Sequence, residues 1–215
     1  MKPISHLFLV FLILHLYFFL IYRQKKAMST KEIEVFYEAT PNPQSMKFNF
    51  TQQMAEESLS FNSIEEAQRS PLAQKIFGFP WTAAVHVGPS FITVTKQEWV
   101  EWKILADPLS DLIREHLQSG LSLLLPPVSE EATCEIEEDE DPIVFKIKSL
   151  LNEQVRPAVA QDGGDIQYVS YNAGVLYVRM MGACSGCPSS MITLKEGIEA
   201  HLKELIPELK SVEAV

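Results

Sequence analysis

Alternating and helical periods divide the chain into short elements with clear punctuation. Ile33–Glu38 and Met46–Phe50 alternate as strands, bridged by Thr40-Pro41-Asn42-Pro43, whose prolines fix φ and cannot donate to a ladder. Asn62 with Glu65 predicts a capped short helix, and Ser70-Pro71 opens a second that Gly78 ends. Trp81–Val87 and Phe91–Lys96 are β-rich runs around Gly88-Pro89-Ser90, which predicts a hairpin. A helix over Glu98–Leu105 is expected to stop before Asp107-Pro108. A further helix then carries Leu109, Leu112, Ile113, His116 and Leu117 on one face before Gly120.

After an acidic interval the helical period returns. Ile143, Ile147, Leu150, Leu151 and Val155 line one face, and Pro157 with the Gly163-Gly164 pair closes the helix. Asp162-Gly163-Gly164-Asp165 reads as a tight turn into a strand at Ile166–Tyr171, and Asn172-Ala173-Gly174 turns the chain into Val175–Met181. Leu194, Ile198, Leu202 and Leu205 mark a second helix ended by Pro207, and Val212–Val215 predicts an edge strand. The fold class is α+β: two small α+β domains, residues 30–125 and 143–215, joined by an acidic linker at 126–142, the second domain in the order α-β-β-α-β.

Residues 1–27 form an apolar leader. Ile4–Tyr22 would reach roughly 28 Å as a helix, close to a bilayer core of about 30 Å. Two alternatives stand: a membrane anchor, or an extension upstream of a start at Met28. Membrane contact is thus expected only if residues 4–22 are translated. Arg23, Lys25 and Lys26 would leave the remaining chain on the cytoplasmic side, so a cytoplasmic location is expected. The leader has neither the cleavage site of a signal peptide nor the Arg- and Ser-rich composition of a transit peptide.

Charge narrows the partners. The net charge is −10, yet the first 27 residues carry four basic side chains and no acid, so the rest holds 14 basic against 28 acidic side chains, net −14. Such a body offers no basic surface for nucleic acid. Glu130, Glu131, Glu135, Glu137, Glu138, Asp139, Glu140 and Asp141 make the linker a solvated spacer, and they raise the thiol pKa of Cys134 among them.

The candidate chemistry lies in Met181–Ser190. Cys184 and Cys187 form C-x-x-C just before Pro188, at a helix N-terminus where a thiolate is favoured, and no Asp or Glu lies between Arg179 and Ser190. That spacing serves a redox dithiol, half a zinc site or part of an iron–sulfur site. One chain brings two sulfurs to the loop, and two chains bring the four of a complete shell. His201 lies too far along the helix to join them. His86, His116, Trp81, Trp99 and Trp102 are expected to be structural, as core or interface groups, and Asp162 and Asp165 to serve the turn. No phosphate loop, nucleophile elbow or zinc-protease motif occurs, so no enzyme is expected.

Residues 143–215 resemble the NifU C-terminal (Nfu-type) domain through Arg156-Pro157-Ala158-Val159, Asp162-Gly163-Gly164-Asp165, Gly182-x-Cys184-x-x-Cys187-Pro188-Ser189-Ser190 and Thr193-Leu194-Lys195. The first half resembles the Nfu N-terminal domain through Thr40-Pro41-Asn42-Pro43, Ser70-Pro71-Leu72-Ala73, Phe91-Ile92-Thr93-Val94 and Glu101-Trp102-Lys103. The resemblance implies an iron–sulfur scaffold or carrier, in which Cys184 and Cys187 of a homodimer hold one [4Fe–4S] cluster between two chains. Its implied partners are apo iron–sulfur client proteins and upstream cluster-assembly proteins. A dithiol redox protein and a zinc-bridged dimer remain the alternatives.

Overall fold

Among the described residues, five antiparallel strands form one sheet and three strands form a second. The computed structural model describes residues 33–127, 141–185 and 188–215. The apolar stretch 4–22, Met28, Cys134 and Cys187 lie outside the described residues. Glu34–Val215 forms one structural unit.

In the first sheet, β1 (Val35–Ala39), β2 (Ser45–Phe50), β3 (Leu59–Phe61), β4 (Thr82–Val87) and β5 (Phe91–Lys96) are ordered β1-β2-β5-β4-β3. The Thr40–Ser45 turn is tied by the Thr40 hydroxyl, which donates to Asn42 O at 2.9 Å, and by Gln44 N–H, which donates to Asn42 Oδ1 at 3.0 Å. Phe48, Ile92, Val94, Leu72, Ile76, Ile113 and Leu117 are fully or almost fully buried. Helix α1 (Pro71–Phe77) starts as expected, with Ser70 Oγ accepting from Ala73 N–H at 3.2 Å.

Two expectations need correction here. The cap at Asn62 pairs with Glu66 and not Glu65: Glu66 Oε2 accepts from Asn62 N–H at 2.8 Å, and the turn that follows is the 3₁₀ segment Glu66–Arg69. Proline did not divide the next helix, since α2 runs unbroken over Trp102–Gln118 with Pro108 inside it. The missing N–H deprives only the Ile104 carbonyl, and Ile104 is 68% exposed, so water can serve that oxygen. Of the tryptophans, expected as core or interface groups, Trp99 is exposed, while Trp81 and Trp102 are half-buried. Trp81 stacks on Phe79 with centroids 5.3 Å apart, and Trp102 Nε1 donates to Pro43 O at 3.1 Å.

In the second half, α3 (Pro142–Leu150) is capped by Asp141, whose Oδ1 accepts from Ile143 N–H at 2.9 Å. A π-helical turn, Leu151–Val155, leads into α4 (Arg156–Gln161). Pro157 therefore does not end the helix. It occupies the first turn after the widened segment, where its absent N–H is tolerated. Strands β6 (Gly164–Asn172) and β7 (Val175–Gly182) are antiparallel, joined by Ala173 and Gly174 at φ of 50° and 89°, the signs of a primed hairpin turn. Helix α5 (Pro188–Leu205) crosses back so that β8 (Ser211–Ala214) pairs in parallel with β7, on the edge of the sheet. Ile147, Leu151, Val155, Ile166, Leu176, Val178, Ile198, Leu202, Ile206 and Val212 form one core, and Cys184 belongs to it.

Candidate functional site: the cysteine loop and the sheet beneath it

The β6–β7 hairpin brings the glycine turn and the cysteine loop together. Gly164 opens β6 opposite Gly182, which closes β7. Gly163 O accepts from Ala183 N–H at 3.0 Å, which ties the loop to the turn. Cys184 then packs on Gly164: a Cβ built at Gly164 would lie 2.4 Å from Cys184 Sγ, so no larger residue fits there without moving the thiol. Cys184 is only 4% exposed and is one of the core residues. Apolar neighbours favour the inward rotamer, because a thiol behaves as a small hydrophobe.

Asp165 takes no part in a metal cluster of described residues, and its partner is electrostatic. Arg156 Nε and Nη2 donate to its Oδ1 and Oδ2, both at 2.8 Å, and Ile166 N–H donates to Oδ1 at 2.7 Å. Burial pushes the carboxyl up, but the Arg156 hydrogen bonds and charge, with Ile166 N–H, outweigh it and hold the pKa below its ordinary value. This fork across the glycine turn was missed in sequence. An Arg nine residues before an Asp, at a helix end and a strand start, was the available signal. His201 faces Gln154, with Nε2 and Oε1 2.6 Å apart, away from the loop as expected.

The first sheet meets this region with a polar row. Glu38, Lys47, Thr93, His86 and Ser60 stand in register, one on each of the five strands. Lys47, Thr93 and His86 are buried, although none is apolar. Lys47 Nζ donates to Gln161 O at 3.2 Å and pairs with Glu38 at 3.0 Å, and the Thr93 hydroxyl donates to Gly163 O at 2.6 Å. Asn42 Nδ2 donates to Ala183 O at 3.2 Å. His86 Nδ1 lies 2.8 Å from Ser60 Oγ, while the buried Nε2 has no hydrogen-bond partner among the described residues. Burial pushes the His86 pKa down to about 4; the Asp165 charge opposes that shift and the Arg156 charge adds to it. A cleft of about 490 Å³ beside His86 is also lined by Ser60, Gln167, Arg179, Met181 and Ser185.

Comparison with known proteins follows the same two halves. The family model described as a NifU-like domain matches residues 147–213, and that described as scaffold protein Nfu/NifU N terminal matches residues 35–120. A Drosophila willistoni protein named "NFU1 iron-sulfur cluster scaffold homolog, mitochondrial" is 40% identical over 178 residues, covering 82% of this chain and 61% of its own length. Its Drosophila persimilis namesake is 39% identical over 197 residues, 90% of this chain and 70% of its own length. The chain thus spans about three-fifths to seven-tenths of these relatives. The solution structure of a NifU-like protein from Saccharomyces cerevisiae aligns with a TM-score of 0.40 at 26% identity, over 45% of this chain and 89% of that one.

These relatives are named mitochondrial, which overturns the cytoplasmic location expected from sequence. That expectation rested on basic residues after an apolar stretch. Such charges orient a segment across a membrane and carry no information on which membrane it is. Among the described residues no helix is long and apolar enough to cross one.

Proposed function

We propose, from the premise that this chain belongs to the NifU/Nfu family, that it receives or assembles an iron–sulfur cluster and hands it to apo-proteins. The observation that carries the proposal is the sulfur count at one loop: Cys184 and Cys187 are two ligands, and a four-thiolate shell needs a second chain. In this reading a homodimer holds one [4Fe–4S] cluster between two such loops. The division into domains at 30–125 and 143–215, with a spacer at 126–142, belongs to the same proposal.

The donor set suits this cargo. Soft thiolates favour iron–sulfur clusters, and Met181–Ser190 brings no carboxylate to recruit harder ions. Transfer proceeds by ligand exchange: a client thiolate forms an iron–sulfur bond as one Cys184 or Cys187 thiolate leaves, so charge and oxidation state are conserved at each step. Such a transfer requires no general acid, base or covalent intermediate on the chain, and the protein acts as a carrier instead of an enzyme.

Anaerobic reconstitution of the full chain with iron and sulfide tests this. The expected product is brown, dimeric by light scattering, and holds about four irons per dimer. Cys184→Ala and Cys187→Ala should each abolish it, while Cys134→Ala should leave it intact. A colourless dimer holding zinc would establish the structural-metal alternative, and reversible Cys184–Cys187 disulfide chemistry without bound iron would establish the dithiol one.

A further inference from the structure

The residue that precedes Cys184, Ala183, is held at both its carbonyl and its N–H. Its carbonyl end is Ala183 O, which accepts from Asn42 Nδ2 at 3.2 Å. Its other anchor is Ala183 N–H, bound to Gly163 O, and that same carbonyl accepts the Thr93 hydroxyl at 2.6 Å. Asn42 and Thr93 both belong to the first sheet and its turn, more than 65 residues away in sequence. Beside them Lys47 holds Gln161 O, and His86 Cδ2 lies 3.1 Å from where a Cβ on Gly182 would sit. The polar row of the first sheet is therefore fitted to main-chain atoms around the cysteine loop. Asn42, Lys47, Thr93 and His86 are all less than a tenth exposed, so this face is committed to a partner within the chain.

We infer that this face is a docking surface for the chain's own cysteine loop, with Asn42 and Thr93 as positioning residues that hold Cys184 in its buried place and compete with cluster loading. The inference rests on the cluster reading above for its consequence, though not for its geometry. Rotation about Cα–Cβ moves the Cys184 sulfur alone, whereas lifting the Cys184 main chain from against Gly164 to present the loop carries Ala183 with it, because the two residues share a peptide plane. Its bond to Asn42 must then break, and the shared bond at Gly163 O is disturbed. Two loops meeting across a dimer seam thus require that the first sheet release them. The occupant of the polar face changes from the cysteine loop to water on loading. Neutral hydrogen bonds of this kind hold the loop strongly enough to slow its escape and weakly enough to allow it.

The test begins on metal-free full-length protein. Thiol labelling with iodoacetamide is followed at Cys184 by peptide mass, in the parent and in Asn42→Ala, Thr93→Val and the double variant. Each single substitution should raise the Cys184 labelling rate ~fivefold, a neutral hydrogen bond's ordinary effect on an opening equilibrium. The rise should be independent of low urea concentrations, the mark of local opening and not of global unfolding. Equal labelling in parent and double variant would overturn the inference, as would a rise that follows urea along the unfolding curve.

A second arm measures the rate of iron and sulfide uptake. The variants should load faster and reach the same final iron content per dimer. Faster labelling with unchanged loading would overturn the competition. Failure of the parent to take up iron at all would overturn the cluster reading, and the labelling arm would still decide the docking surface on its own.

Discussion

Buried, with one unpartnered nitrogen, His86 gives the fold a defined response to acid. Its pKa in the folded chain is pushed down to about 4 by burial, whereas an unfolded histidine titrates near 6.5. The sign follows directly. Between those values the unfolded chain binds a proton that the folded chain refuses, so acid favours unfolding. The stability tied to neutral His86 is complete above about pH 6.5, falls by about 1.4 kcal/mol for each pH unit below that, and levels off near pH 4. The whole effect is about 3 kcal/mol, a large share of the stability of an ordinary domain.

His86→Phe is the matching perturbation. The ring keeps its shape beside Phe91, whose centroid lies 5.6 Å away, and loses the Ser60 contact together with the unpaired nitrogen. At pH 7.5 these losses and gains offset to within about 1 kcal/mol. Urea unfolding of parent and variant at pH 7.5, 6.5, 5.5 and 4.5 is the assay. His116 is also depressed by burial and acts in both proteins, so the difference between them isolates His86. The variant should gain on the parent by about 2 to 3 kcal/mol between pH 7.5 and 4.5. Parallel pH profiles would refute the reasoning, since a histidine that titrates alike in both states cannot couple folding to acid.

Three other outcomes follow from the same geometry. Arg156→Ala leaves the buried Asp165 carboxylate without its fork. Breaking a buried pair costs about 3 to 5 kcal/mol, and the 39% exposure of the Arg156 side chain reduces this to about 2 kcal/mol, or a Tm lower by about 4 to 8 °C in calorimetry. Because Asp165 has a lowered folded pKa, the gap should be present above about pH 3.9 and close as pH falls through the still lower folded value. Gly164→Ala drives a methyl into Cys184 Sγ and should destabilise the chain by about 1 to 3 kcal/mol while raising Cys184 alkylation, both measured on one preparation. Ser70→Ala removes the α1 cap and should lower the urea-derived stability by about 1 kcal/mol without changing iron uptake.

Local pattern was legible wherever the chain's own neighbours decide the structure. Alternation located β1, β2, β4 and β5, the Asn172–Gly174 turn located the second hairpin, and Ser70-Pro71 located α1, because each depends on contacts only a few residues apart. Proline misled twice: Pro108 lies inside α2 where the deprived carbonyl reaches water, and Pro157 follows a widened π turn. Strand β3, Leu59–Phe61, alternates over only three residues, too few to stand out as a period.

The larger loss of information concerns the first sheet's polar face. In β2 and β5 the alternation marks two faces, and a polar face in an isolated sheet belongs to water. Here Lys47 and Thr93 are buried, because the second half covers that face and satisfies it with main-chain oxygens. Nothing in a period-two pattern records who covers a face. The same is true of Cys184, whose spacing to Cys187 announces coordination chemistry while its burial depends on Gly164, on the core around it and on the peptide that Asn42 and Thr93 hold. The pairing of Cys184 with Cys187 is visible in sequence alone; the burial of Cys184 follows from the packing of one half of the chain on the other.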